Sequence, residues 1–153
     1  MSPGYLHPNL QKAELEAGRD IWYYNWVVRL DPYDYIRGRL YTWQIYSADG
    51  NGGLLWNTVF NPKGINPWND FEKTHSCGGA TIFYPPLKEG EEMIPSLRAA
   101  QVREGIDDFD YLRILENKID SLFPGQGKAR VKEIIRALIP QMPFEYKNDP
   151  HLL

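Results

Sequence analysis

This 153-residue chain holds one cysteine and three histidines, and nowhere does it string together the ~18 apolar residues that a membrane-spanning helix needs. The lone Cys77 excludes an internal disulfide framework, so stability must come from a packed core. The first residues lack the basic-then-apolar pattern of an export leader, and the chain reads as soluble, with no membrane partner. Basic charge is not in excess either: 17 Lys+Arg against 20 Asp+Glu leave a net charge of -3 and no footprint for nucleic acid. His75 and Cys77 offer two metal ligands where a site needs three or four, and His7 and His151 lie in the terminal segments, so no metal is expected. Gly50, Gly52 and Gly53 follow a helix pattern and precede a strand pattern, the reverse of a dinucleotide fingerprint. No serine sits in a strand-turn-helix elbow with a histidine to serve it, and no cofactor is expected.

Aromatic side chains are abundant instead, at 14% of residues with five Trp and ten Tyr. Such rings fill thick core layers, but their polar edges also suit a stacking surface for a flat ligand or a partner. A chain of this length is one domain and buries roughly 70% of its unfolded surface. Asn9 caps a short predicted helix over residues 10–17, which Gly18 ends. Residues 20–28 are nearly all apolar or aromatic and read as a strand covered on both faces. Asp31-Pro32-Tyr33-Asp34 starts a helix that runs to about residue 47, with Ile36, Leu40 and Trp43 as its buried stripe. A second strand over residues 53–60 follows Gly52 and Gly53, which gives βαβ order and predicts parallel strands. Its far end carries Trp56 and Asn57 and opens into a long loop. A third strand over residues 80–84 is stopped by Pro85 and Pro86, and a charged loop leads to Pro95 and Ser96. Helical spacing then continues to about Leu122 with Gly105 as a bend or seam, and a last helix over residues 128–139 follows the Pro124 to Gly127 turn.

Three stretches stand together: Gly53-Leu54-Leu55-Trp56-Asn57-Thr58 leading to Asn66-Pro67-Trp68-Asn69-Asp70, then residues 78–85, then the string Pro95-Ser96-x-Arg98 with Arg103-x-Gly105-Ile106-x-Asp108-x-x-Tyr111-Leu112. This order resembles the closing segment of glycoside-hydrolase-like (β/α)8 barrel proteins, the region classed as domain of unknown function 4091, related to glycoside hydrolase family 123. The resemblance spans roughly residues 19–116. It implies that the three strands are the last three of a TIM barrel and that the catalytic carboxylates belong to strands this chain does not contain. The expected fold is therefore α/β: a partial (β/α) TIM-type barrel of three parallel strands with helices over residues 1–123, plus a C-terminal helix and tail, residues 124–153, packed on the same domain.

Open α/β sheets bind ligands outside the carboxyl ends of their strands. The expected sugar-binding residues are accordingly Trp22, Tyr24 and Asn25 on the first strand, Trp56 and Asn57 on the second, and Trp68 in the loop. Indoles stack on the apolar face of a pyranose, and amides exchange hydrogen bonds with its hydroxyls. Alternation puts Trp22 and Tyr24 on one face and Tyr23 and Asn25 on the other, so only one set can face a pocket. Asp70 and Glu72 read as solvated loop acids, and no catalytic residue is expected. Arg98, Arg103, Glu104, Asp107 and Asp108 read as a structural network, with Arg103 and Asp107 an ion pair by i, i+4 spacing. Three strands cannot close a barrel, so the open edges call for self-association or a missing barrel half, with a glycan as the ligand. A non-catalytic assembly module is the alternative.

Overall fold

A computed structural model of the chain describes residues 8–25, 36–55, 58–59, 66, 68–69 and 82–138. In chain order the elements are α1 (Pro8–Glu16), β1 (Trp22–Asn25), α2 (Arg37–Ser47), β2 (Gly52–Leu55), β3 (Phe83–Tyr84), β4 (Ile94–Pro95), α3 (Leu97–Leu122) and α4 (Gly127–Leu138). The predicted Asp31 helix start, Trp56, Asn57, Asp70, Glu72, His75, Cys77 and the tail lie outside the described residues.

Strands β1 and β2 run parallel in the register Trp22↔Gly52, Tyr23↔Gly53, Tyr24↔Leu54 and Asn25↔Leu55. Helix α2 is the crossover between them, as the βαβ order requires. The third predicted strand is corrected: β3 pairs with β4 in antiparallel fashion, Phe83↔Pro95 and Tyr84↔Ile94. Pro85 and Pro86 end β3, but the chain then turns back through Gly90, at φ +87, and the stretch read as a charged loop returns as a strand edge. The junction to β2 is retained through Thr58, whose carbonyl accepts from the N–H groups of Ile82 and Phe83, both at 2.9 Å. The structure is thus mixed α/β with a short parallel ladder.

Packing follows two connected clusters. Tyr23 from β1, Ile21, and Tyr41, Ile45 and Ala48 from α2 and its end form one, with Leu15 of α1 and Leu55 of β2 against it. Leu40 and Tyr46 of α2, Leu112 of α3, and Val131 and Ile135 of α4 form the other, and Phe109 touches both. Ile36 and Trp43 pack on the second cluster, so the predicted α2 stripe is the buried one. Gly53 is required by close approach: a Cβ there would lie 2.5 Å from Ile45 Cδ1. The ladder therefore rests directly on α2, with Tyr23 pointing into the contact and 2% exposed.

The helix ends are set by local chemistry. Ser96 caps α3, its hydroxyl accepting from the Ala99 N–H, and Gly18 at φ +69 closes α1. Helix α2 ends on Asp49 instead of a glycine. Asp49 adopts φ 54, and the N–H groups of Asp49 and Gly50 donate to the carbonyls of Tyr46 and Ile45, closing the last turn. Aspartate tolerates this left-handed conformation better than most residues, and its carboxylate is then aimed at α4. Lys132 donates to it at 2.7 Å, and Lys128 sits 3.6 Å away.

Candidate functional site

The ladder has two unlike faces. Tyr23 and Gly53 lie against α2, and alternation turns Trp22, Gly52, Tyr24 and Leu54 the opposite way. On that face Trp22 is 64% and Leu54 47% exposed, and the Trp22 indole lies over Gly52, where an added Cβ would come within 2.7 Å of the ring. Trp22 opens the strand and Asn25 closes it, which separates them by roughly 10 Å at about 3.3 Å per residue. Trp22 and Tyr24 thus share a face but occupy different heights on it. Asn25 pairs with Leu55 at the carboxyl end, where both strands are directed toward the following segments.

Tyr41 fixes that end of the ladder. Its hydroxyl donates to Tyr23 O at 2.5 Å and lies 3.4 Å from Leu54 O, so one phenol from α2 ties both strands just before they finish. Burial pushes the Tyr41 hydroxyl up to about 12, because a phenolate there would lose its water. Tyr23 donates to Ala48 O at 3.0 Å, and burial, aided by the negative charge of Asp49, also raises its pKa.

Trp68 is the predicted site residue with the most defined surroundings. It follows Asn66, whose side-chain oxygen accepts from the Trp68 backbone N–H at 2.9 Å, an Asx turn that sets the local backbone. Its indole stacks on Tyr84 at 4.7 Å between centroids and 28° between planes, and its ring N–H donates to Pro85 O at 3.2 Å. Arg98, 1% exposed, donates from Nη2 to the Tyr84 hydroxyl at 3.1 Å, and burial lowers its pKa. Trp68, Tyr84 and Arg98 are therefore one contiguous stack running from a 38% exposed indole to a buried guanidinium. Tyr84 was missed in the sequence because a contact between residues 16 positions apart across a loop leaves no periodic signature. The only local hint was its place at the end of the residue 78–85 stretch.

The charged residues of α3 divide. Asp108 accepts from Arg39 Nε at 2.5 Å and Nη2 at 2.8 Å, and from the Trp43 indole at 2.8 Å, joining α3 to α2. These hydrogen bonds, that of Arg39 foremost, hold the Asp108 carboxyl below the usual carboxylate range. Arg103 pairs with its neighbour Glu104 at 3.1 Å on the surface instead of with Asp107, which is exposed. A third cluster gathers at the helix junction: Tyr46 donates to Glu116 at 2.8 Å, and Lys128 lies 4.2 Å above the Tyr46 ring. Burial pulls the Lys128 amine down and pushes the Tyr46 phenol up. Among the described residues no group of three or more His, Cys, Asp or Glu is placed to hold a metal ion, and no helix is long and apolar enough to cross a membrane.

The described residues thus form a parallel ladder crossed by one helix, with an aromatic stack in the loop that follows it. The family model described as "Glycoside hydrolase 123, catalytic domain" matches residues 4–115. The chain belongs to that family, and its function is of the glycoside-hydrolase-like, carbohydrate-active kind. No curated protein matches it.

Proposed function

We propose that this chain supplies part of the sugar-binding surface of a glycoside-hydrolase-like protein and does not cleave glycosidic bonds by itself. The observation that carries the reading is the Trp68–Tyr84 stack, an indole face kept partly open in the loop after a parallel ladder. In this reading Trp56 and Asn57 contribute to the same surface together with one face of the ladder, either Trp22 and Tyr24 or Asn25. The finer assignment to the closing region classed as domain of unknown function 4091, and with it a partial barrel, is part of this proposal.

The absence of hydrolysis rests on the resemblance, which implies that the catalytic carboxylates, one held protonated and a second one ionised about 5 to 9.5 Å apart, belong to strands other than these. Residues 124–153 belong with residues 1–123 as one unit, a reading supported by the complete burial of Val131 and Ile135 against Tyr46 and Leu112.

Titration with N-acetylhexosamine oligosaccharides, followed by tryptophan fluorescence, tests this directly. A saturable change in the wild type that disappears in the Trp56→Ala, Trp68→Ala double variant supports the proposal. No change in the wild type, or an equal change in the variant, overturns it. The exposed Trp22 and Leu54 favour a second reading, a scaffold that associates with another copy or a complementary barrel half through that sheet face. Size-exclusion chromatography with light scattering distinguishes them: a defined oligomer without glycan affinity selects the assembly module.

A further inference from the structure

Helix α3 turns one side to the core and leaves the other open. Its inward stripe is Arg98, Gly105 and Leu112, which meets α2 at Gly105 and α4 at Leu112. At 3.6 residues per turn, Asp107, Tyr111, Ile114 and Lys118 lie within roughly 60° of one another on the opposite side. All four are exposed, Tyr111 to 71% and Ile114 to 51%. Leu122, 74% exposed, prolongs the same face one turn beyond Lys118. An apolar pair left open at the centre of a helix face, with charge only at its two ends, has the layout of a contact surface.

The order of these four residues is the same read from either end, apart from the sign of the charge. Their spacings are 4, 3 and 4 residues, with an acid first, a base last and the two apolar side chains between. Asp107 and Lys118 are about 16 Å apart along the axis at 1.5 Å per residue, too far to pair within the helix. Arg103, one turn before Asp107, pairs with Glu104 instead, and no ion pair among the described residues takes Asp107 or Lys118. A second α3 laid antiparallel over the first, with the two-fold axis level with the Leu112–Arg113 bond, brings each group onto its complement. Asp107 then meets the partner's Lys118, Tyr111 meets the partner's Ile114, and the same pairs recur beyond the axis. The 4-3-4 spacing is that of a seam between two helices crossing at a shallow angle. A parallel pairing would set acid on acid and base on base, which repel.

We infer that a second copy of this chain docks on the outer face of α3, as an antiparallel helix pair centred on Tyr111 and Ile114 and closed by Asp107–Lys118 bridges at both ends. This face shares no residue with the exposed ladder face of Trp22 and Leu54, and the inference does not depend on glycan binding. Four layers of side chains make a small interface, so the dimer dissociates with a Kd on the order of 10 µM.

Sedimentation equilibrium of the full chain, with two charge reversals measured apart and then mixed, tests the pairing. Asp107→Lys and Lys118→Asp each turn both bridges into repulsions, so each variant alone should dimerise roughly thirtyfold more weakly than the wild type. Mixed in equal amounts, the two should form a heterodimer about as tight as the wild-type pair. The new base of one variant then faces the new acid of the other, and the two native charges face each other at the far end. Recovery in the mixture also shows that both variants fold. Trp22→Ser should leave the wild-type Kd unchanged. A wild type that stays monomeric at several hundred micromolar, a single reversal that dimerises as tightly as the wild type, or a mixture as weak as its components overturns the pairing. Loss of the dimer in Trp22→Ser with no effect of either reversal overturns it in favour of the ladder face.

Discussion

Replacing Gly105 by alanine separates two opposing effects whose sum has a definite sign. Gly105 sits in the middle of α3, where an alanine on an exposed helix would stabilise by about 1 kcal/mol. Here it is the point of closest approach to α2: a Cβ would lie 2.6 Å from the Arg39 carbonyl oxygen and 2.9 Å from Thr42 Oγ1. A carbon–oxygen contact is relaxed only beyond about 3.4 Å, so the two helices must part by roughly 0.8 Å. That overpacking costs about 1–3 kcal/mol. It also strains the bond that Thr42 donates to the Gly105 carbonyl at 2.5 Å, worth about 1 kcal/mol. The packing terms exceed the propensity gain, and the variant should lose about 2 kcal/mol, or roughly 4 to 8 °C in thermal midpoint for a chain of this size. Urea unfolding followed by far-UV circular dichroism measures it. A variant as stable as the wild type, or more stable, would refute the helix-to-helix seam.

Three further outcomes follow from the same contacts. The Tyr41 pKa is raised to about 12 from an ordinary value of about 10, so the stability linked to its neutral phenol is complete below pH 10 and is lost between pH 10 and 12. The loss amounts to roughly 3 kcal/mol, and Tyr41→Phe should flatten that limb of the stability profile while costing about 1 kcal/mol at pH 7. Asp108 is shifted the other way, so its contribution is present above the unfolded pKa of about 3.9 and fades as pH falls through the lower folded value. Asp108→Asn should cost about 1 kcal/mol at pH 7, since Arg39 is partly solvated, and nothing at the acid limit of the native range; an equal cost at both pH values contradicts the Arg39 pairing. Ile135→Ala, at a side chain with no exposure, should lose about 3 kcal/mol by urea titration, and a loss under 1 kcal/mol would detach α4 from the core.

The sequence was most legible where structure is determined within a few neighbouring residues. Gly18 as the end of α1 and the Ile36-Leu40-Trp43 stripe act over one or two helical turns, and each lies where its pattern placed it. The parallel pairing of β1 and β2 could be read because a helix between two strands leaves little other topology. The direction of the third strand could not. Its pairing with β4 depends on a reversal at residues 87–93, and proline stops a strand without saying where the chain goes next. Ion pairs were illegible for a related reason. Spacing proposes Arg103 with Asp107 on one helix, whereas Asp108 takes its partners from α2, 69 and 65 residues earlier, and no local pattern reports that distance. The candidate site falls between these cases: Trp68 was visible as a ring in a loop, while Tyr84 behind it depended on tertiary contact.

Saturation-transfer NMR of the full chain mixed with the β-linked N-acetylhexosamine trisaccharide, with spectra repeated over a day, tests the central claim most directly because it reads binding and cleavage in one sample. The account predicts strong transfer to the ring CH protons, weakened in Trp68→Ala, with the anomeric signals of the trisaccharide unchanged throughout. No transfer to the sugar, or a growing anomeric signal from a released sugar, would contradict it.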